Sequence, residues 1–350
     1  MKFSVLFLFI SVPGVLFLMY ACQSSKEKKK PTKESELGFR IEGDTIHYHD
    51  EIINDIDALS FAVIDDYFCK DKHHVYYFNS YRESSTYFLT KKHVVRKLES
   101  ADVASFVSLG EGFAKDKNQA WFKDQSFRVK DLKSLTVLNH HFLKDNISAY
   151  NDMRVIIGSH GATFELINPY YAKDSIHYYF LNPENGEYSV AIIPCDHSTF
   201  TPLEYPYSKD NSHVYYRAEI IQDALPQQFV ITGHPYSRDS HAVYFRAKKI
   251  RGADPETFSL FKENESSMGE IVYAKDKNRI YCNEQSFPGV DISSFRILNE
   301  KYTIDKNGVY YKMKLMPNAD AASFKVYPHF LGDADAEDKN HKYGEGQKVE

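Results

Sequence analysis

Basic charge is the first thing in short supply. The 350-residue chain sets 43 Lys and Arg against 48 Asp and Glu, a net charge of −5, so it lacks the positive field that draws proteins onto phosphate backbones. Nucleic acid is not an expected partner. Cysteine is nearly as scarce: beyond Cys22 only Cys69, Cys195 and Cys282 remain, an odd set that permits at most one internal bridge and excludes a disulfide scaffold. Tryptophan occurs once. The apolar run from Phe3 to Met19, broken by Pro13-Gly14, falls short of the roughly 20 residues that span a bilayer core.

The signatures of common reaction chemistry are missing too. There is no H-E-x-x-H zinc helix, no G-x-S-x-G nucleophile turn and no glycine-rich loop opening a helix; Gly158-Ser159-His160-Gly161 comes nearest. Recurrent Asp-Lys-Asn turns lack the alternating ligands and distal Glu of a Ca²⁺ loop, and their Lys opposes a cation. His74, His177, His213, His341 and His241 recur beside the turns, but each repeat supplies only two ligand-type side chains; these read as solvated strand ends, and His140-His141 and His160 have no further support. No catalytic residue, metal site or cofactor is expected, and the chain reads as a non-enzyme. The alternative is an enzyme whose site is assembled from loops of different repeats.

What the chain has is aromatics, 26 Tyr and 25 Phe, and they recur. Aligned on one acidic residue, the copies fall at Asp71, Asp116, Asp145, Asp174, Asp210, Asp239, Asp276 and Asp305, and four of the seven spacings are 29 residues. The longer spacings carry insertions at Ser80 to Lys92, Asn182 to Gly186 and Glu263 to Gly269. Each copy opens with an aromatic three residues before its Asp and continues after the turn into a pair such as Val75-Tyr76-Tyr77 or Val309-Tyr310-Tyr311. Two β-favouring runs about a polar four-residue turn predict a hairpin, because the Asp accepts from backbone two residues on and Asn tolerates positive φ. An Asp-x-x-Ser-Phe segment such as Asp102 to Phe106 or Asp291 to Phe295 predicts one capped helical turn and then a third strand.

An isolated hairpin is marginal, so the copies must stack on one another. The expected fold is all-β with short helical turns: tandem hairpin repeats of about 29 residues in a solenoid-like array, with a closed propeller-like ring as the alternative. In this array Cys69 takes an Ala-like slot and Cys282 the second position of a Tyr pair, both small buried hydrophobes. Alternation along the strand predicts that one Tyr of each pair faces outward, which makes Tyr77, Tyr179, Tyr216 and Tyr311 the candidate ligand-contact aromatics.

The pattern Tyr-x-Lys-Asp-Lys-Asn-x-Val-Tyr-Tyr, as in Phe113 to Phe122, Tyr273 to Cys282 and Tyr302 to Tyr311, resembles the DKNYY-type repeat family of bacterial exported proteins. The likeness covers about residues 41–330 and implies no reaction, ligand or catalytic residue. Residues 331–350 read as a degenerate half repeat and a charged tail. At the other end, residues 1–21 read as a secretory signal, and Ala21-Cys22 resembles the processing site of bacterial lipoproteins, where the Cys is lipidated. Residues 22–40 then form a polar tether. The expectation is an exported lipoprotein held to a membrane of the bacterial envelope, periplasmic or surface-exposed, that binds or scaffolds an envelope protein or polysaccharide.

Overall fold

The computed structural model describes residues 33–184, 186–262, 271–327 and 334–349. The signal, Cys22, most of the tether and the Glu263 to Gly269 insertion lie outside them. The described chain forms ten small antiparallel sheets in sequence order, one of three strands and nine of four. In the third, strands Val107–Gly110, Phe113–Lys115, Ala120–Phe122 and Gln125–Phe127 follow one another as a meander.

Each of the nine four-stranded sheets has one strand more than the sequence reading allots. The extra strand returns through a two-residue loop, pairing Phe122 with Gln125, Tyr216 with Glu219 and Phe245 with Lys248. The first loop residue takes a positive φ at Lys123, Arg217 and Arg246, where glycine or Asn would ordinarily signal such a turn. The C-terminal segment read as a half repeat likewise completes a four-stranded sheet, from Lys325–Val326 to Gln347–Lys348. Asp-x-x-Ser segments form the expected single turn: the Ser105 amide donates to the Asp102 carbonyl and Ser323 to Asp320.

The sheets stack face to face, and nine clusters of buried side chains each draw on two consecutive sheets. Strand alternation sets the fit. Phe68, Val75 and Tyr77 of one sheet meet Ala114 and Trp121 of the next; Tyr236, Val243 and Phe245 meet Ala274 and Tyr281. The residue after the opening aromatic is small in most sheets, and Cys69, Ala114, Ala172, Ser208, Ser237 and Ala274 are all fully buried; the fourth sheet has Leu143 there instead. Cys69 fills one of these slots and Cys282 the second position of an aromatic pair; both are buried, as their sequence positions imply, and both are free thiols. No cluster among the described residues joins the first sheet to the last, so the array is open.

Polar rungs cross the same interfaces. The hydroxyl of Tyr171 donates to the Tyr207 carbonyl at 2.9 Å, Tyr207 to Pro235 at 2.9 Å, and Tyr236 to Val272 at 3.1 Å and Asn283 at 2.7 Å. Lys115 reaches forward as well, its ammonium donating to the Leu132 and Lys133 carbonyls.

Within a sheet the turn Asp is a buried clamp. In the eighth sheet Asp276 Oδ1 accepts from the amides of Asn278 and Arg279, and Oδ2 accepts from the Asp254 amide at 2.8 Å and the Tyr281 hydroxyl at 2.7 Å. A hydrogen bond to a charged group contributes about 1.5–3 kcal/mol. Replacing Tyr281→Phe is expected to cost that much in urea unfolding, whereas Asp276→Ala, which strands four donors, costs more than Tyr281→Phe.

The clamp also sets an acid limit. Burial alone would raise the Asp338 carboxyl, but donation from the Asp320, Asn340 and His341 amides and the Tyr343 hydroxyl outweighs it and holds the group at about 2. The same balance lowers Asp71, Asp145, Asp174, Asp210, Asp239 and Asp276. A carboxyl whose folded pKa is depressed stabilises fully above its ordinary value near 3.8 and loses that contribution as pH falls through the folded value. Unfolding free energy should hold level from pH 7 to 5 and fall steeply between about pH 4 and 2; a decline centred near pH 6 would contradict the clamp.

Candidate ligand-binding cleft

The geometry that recurs from sheet to sheet is structural, and the Asp-x-x-Ser turn belongs to it. Fourteen residues separate Asp102 from Asp116 and Asp291 from Asp305, and the two segments clip together. The Asp291 amide donates to Asp305 Oδ2 at 2.6 Å, the Lys306 amide to Ser294 Oγ at 3.0 Å, and Lys306 Nζ lies 2.8 Å from Asp291. Lys117 with Asp102 and Lys339 with Asp320 repeat the ion pair. The motif Lys is thus a strap to the preceding turn. In the middle units Asn146, Ser175 and Asn211 replace it, and the backbone bond to Ser134, Thr163 and Thr199 persists without the charge.

Gly158-Ser159-His160-Gly161 is a variant of the same clip. The His160 amide donates to Asp174 Oδ2 at 2.7 Å, and Ser159 Oγ accepts from the Ala149 amide. A Cβ on Gly161 would lie 2.2 Å from the Asp145 carbonyl oxygen, so glycine is required by close approach of two backbones. The turn histidines sit one per sheet beside their Asp, His213 Nδ1 lying 3.8 Å and His341 Nδ1 3.9 Å from it. No group of three or more His, Cys, Asp or Glu among the described residues is placed to hold a metal ion.

The four candidate aromatics require a correction. Tyr77, Tyr179 and Tyr216 are buried and Tyr311 is half-buried. Alternation does send paired residues to opposite faces, but in a stack both faces meet a neighbouring sheet. Tyr77 and Tyr216 pack toward the next sheet, and Tyr179 is the clamp donor to Asp174 at 2.6 Å. Tyr311 lies 5.0 Å ring to ring from Tyr302 and carries Lys312 over its face. These rings hold sheets together.

Accessible chemistry appears where an insertion lengthens a hairpin. In the fifth sheet Tyr178–Glu184 and Glu187–Ile193 run on as a long ladder beyond the usual unit. Its outer strand overhangs the edge strand Arg154–Val155 of the fourth sheet and encloses a cleft of about 920 Å³. The apolar wall includes Val155, Ile157 and Ile192, of which Ile157 is 85% exposed. Arg154, Glu184 and Glu187 supply both signs of charge at the rim. Tyr188 is propped by the His141 ring at 5.0 Å and Phe142 at 5.3 Å, with Asn151 Nδ2 donating to its carbonyl at 2.6 Å. The buried Asn151 Oδ1 beside it has no hydrogen-bond partner. Sequence reasoning located the insertion but missed Tyr188, because an isolated Tyr on an inserted strand has no repeat position to compare with.

The model of the DKNYY family matches residues 39–183 and 236–347, and the segment between them folds into the same kind of sheet. No curated protein and no solved structure matches the chain. With more than half of its residues matched and the repeat visible sheet by sheet, the chain belongs to the DKNYY family.

Proposed function

We propose that the chain is an exported, membrane-tethered lipoprotein that works as a binding or scaffold module of the cell envelope. The cleft between the fourth and fifth sheets carries this reading. It joins an apolar wall to a rim of Arg154, Glu184 and Glu187, and it lies open along a sheet edge, a form suited to an extended protein or polysaccharide segment. The stack behind it is a rigid support whose turn carboxylates are already engaged by amides and hydroxyls. Lipid attachment at Cys22 is supported by Ala21-Cys22 following a short apolar run. Residues from Gln23 to Gly38 would then give a tether of roughly 20 Å.

Two measurements test the two halves. Metabolic labelling with a fatty acid is expected to mark the natural chain and not Cys22→Ser; equal labelling of both would end the anchor proposal. A panel of envelope glycans and proteins is expected to give a ligand whose affinity falls at least about tenfold in Tyr188→Ala with Arg154→Glu, a loss of about 1.4 kcal/mol. A ligand that binds this variant undiminished would remove the cleft from the account.

A further inference from the structure

The second long hairpin, in the second sheet, uses its insertion differently. Strands Val75–Arg82 and Lys91–Lys97 pair out to Arg82 opposite Lys91, and the loop beyond them is closed by the Glu83 amide donating to the Thr90 carbonyl. A single 3₁₀ turn, Ser84–Thr86, leads into Tyr87 and Phe88, both at positive φ, and Arg82 donates to the Phe88 carbonyl at 3.0 Å. This backbone displays three consecutive apolar side chains: Tyr87 is 89% exposed, Phe88 59% and Leu89 82%. None of them belongs to any of the core clusters.

Charge surrounds the tip in one sense. Arg82, Lys91 and Lys92 form a collar against the single acid Glu83, which lies 3.9 Å from Lys92, in a chain whose net charge is −5. Farther down the strand Arg96 and Lys97 are engaged by Asp124 and Glu99. Glu83 offsets one of the collar's three cations, so the collar is the part of the hairpin that keeps an excess of positive charge. An aromatic, a second aromatic and a Leu at the apex, with cations one step behind, match the depth profile of an anionic bilayer. Apolar groups enter the acyl boundary, the tyrosine ring sits at headgroup level, and basic side chains meet lipid phosphates.

The geometry points to this tip as a docking element for an anionic phospholipid surface. It does not depend on lipid attachment at Cys22, because contact is made by a loop some 65 residues farther along the chain. The hairpin fixes which side of the array turns toward the membrane, leaving the cleft on the fourth and fifth sheets for a separate partner.

Tryptophan fluorescence of the full chain gives a local test, since Trp121 is buried and supplies a constant background. Tyr87→Trp should shift its emission to the blue on addition of phosphatidylglycerol-containing vesicles, and acyl-chain-brominated lipid should quench it. Adding Lys91→Gln and Lys92→Gln should weaken the half-saturating lipid concentration roughly thirtyfold, from about fivefold per basic side chain at a charged surface. Replacing Phe88→Ser and Leu89→Ser in the same reporter should abolish quenching while the circular dichroism of the fold is unchanged. An unshifted, unquenched Trp at saturating anionic lipid overturns the proposal, as does equal response to pure phosphatidylcholine vesicles. Because the reporter sits on the tip, anchoring through the N-terminus alone leaves it unshifted, so this failure is distinct from failure of the lipoprotein reading.

Discussion

One buried carboxylate in each of the nine four-stranded sheets is the constraint on which the architecture depends. An ionised group in a protein interior is costly unless every lone pair is engaged, and here the engagement is complete. One oxygen of Asp276 closes the hairpin onto Asn278 and Arg279; the other takes a backbone amide from Asp254 and a tyrosine hydroxyl. Two pieces of chain, the hairpin that carries Asp276 and the Asp254 turn 22 residues before it, are thereby fixed around a single charge. The tyrosine must stay protonated to donate, and burial together with the neighbouring carboxylate pushes the Tyr281 hydroxyl well above its ordinary range. Trp121 fills the same role over Asp116 with an indole N–H that carries no such liability.

The clamp explains the alternation of large and small residues between sheets. Because the tyrosine ring is pinned to its Asp, it projects toward the preceding sheet, and its neighbour across the pair projects toward the following one. Most interfaces then receive a ring from one side and a small residue beside a ring from the other, as with Phe142 and Ala149 against Ala172 and Tyr179. Hydroxyls of Tyr171, Tyr207 and Tyr236 add bonds across the gap, whereas the earlier sheets use Phe39, Phe68, Phe113 and Phe142 at that position and take their crossing bonds from other side chains, as with Tyr48 and Ser80 or Lys144 and the Phe164 carbonyl. Stability in such a stack is a sum over neighbours, so the chain tolerates extended hairpins at the edges of individual sheets without disturbing the rest.

The sequence made the repeat legible because its polar turn residues and aromatics recur at a fixed spacing, and that was enough for the hairpin, the capped turn and the open array. It did not show the fourth strand, whose turn is built on Lys123, Arg217 or Arg246 at positive φ instead of a recognisable Asn-Gly. Nor did it show where Tyr77, Tyr179 and Tyr216 point, since alternation assigns faces without saying what covers them. The Asp102 to Asp116 clip was present in the sequence as a repeated separation of 14 residues, and the Lys of the motif gains its meaning from that pairing. The cleft was the least legible: Asn151, Arg154 and Tyr188 come from two sheets and share no repeat position.

The molecule thus divides into a stack of clamped sheets and two extended hairpins that carry its candidate binding surfaces. The central claim is that a single carboxylate holds remote segments together as a unit. Native-state hydrogen exchange of the Asp254, Asn278 and Arg279 amides, in the natural chain and in Asp276→Asn, addresses that most directly. The account predicts that the three amides exchange at a common rate in the natural chain and lose protection together in the variant, although Asp254 lies 22 residues from the substitution. Three unrelated rates, or an Asp254 amide still protected while Asn278 and Arg279 open, would contradict it.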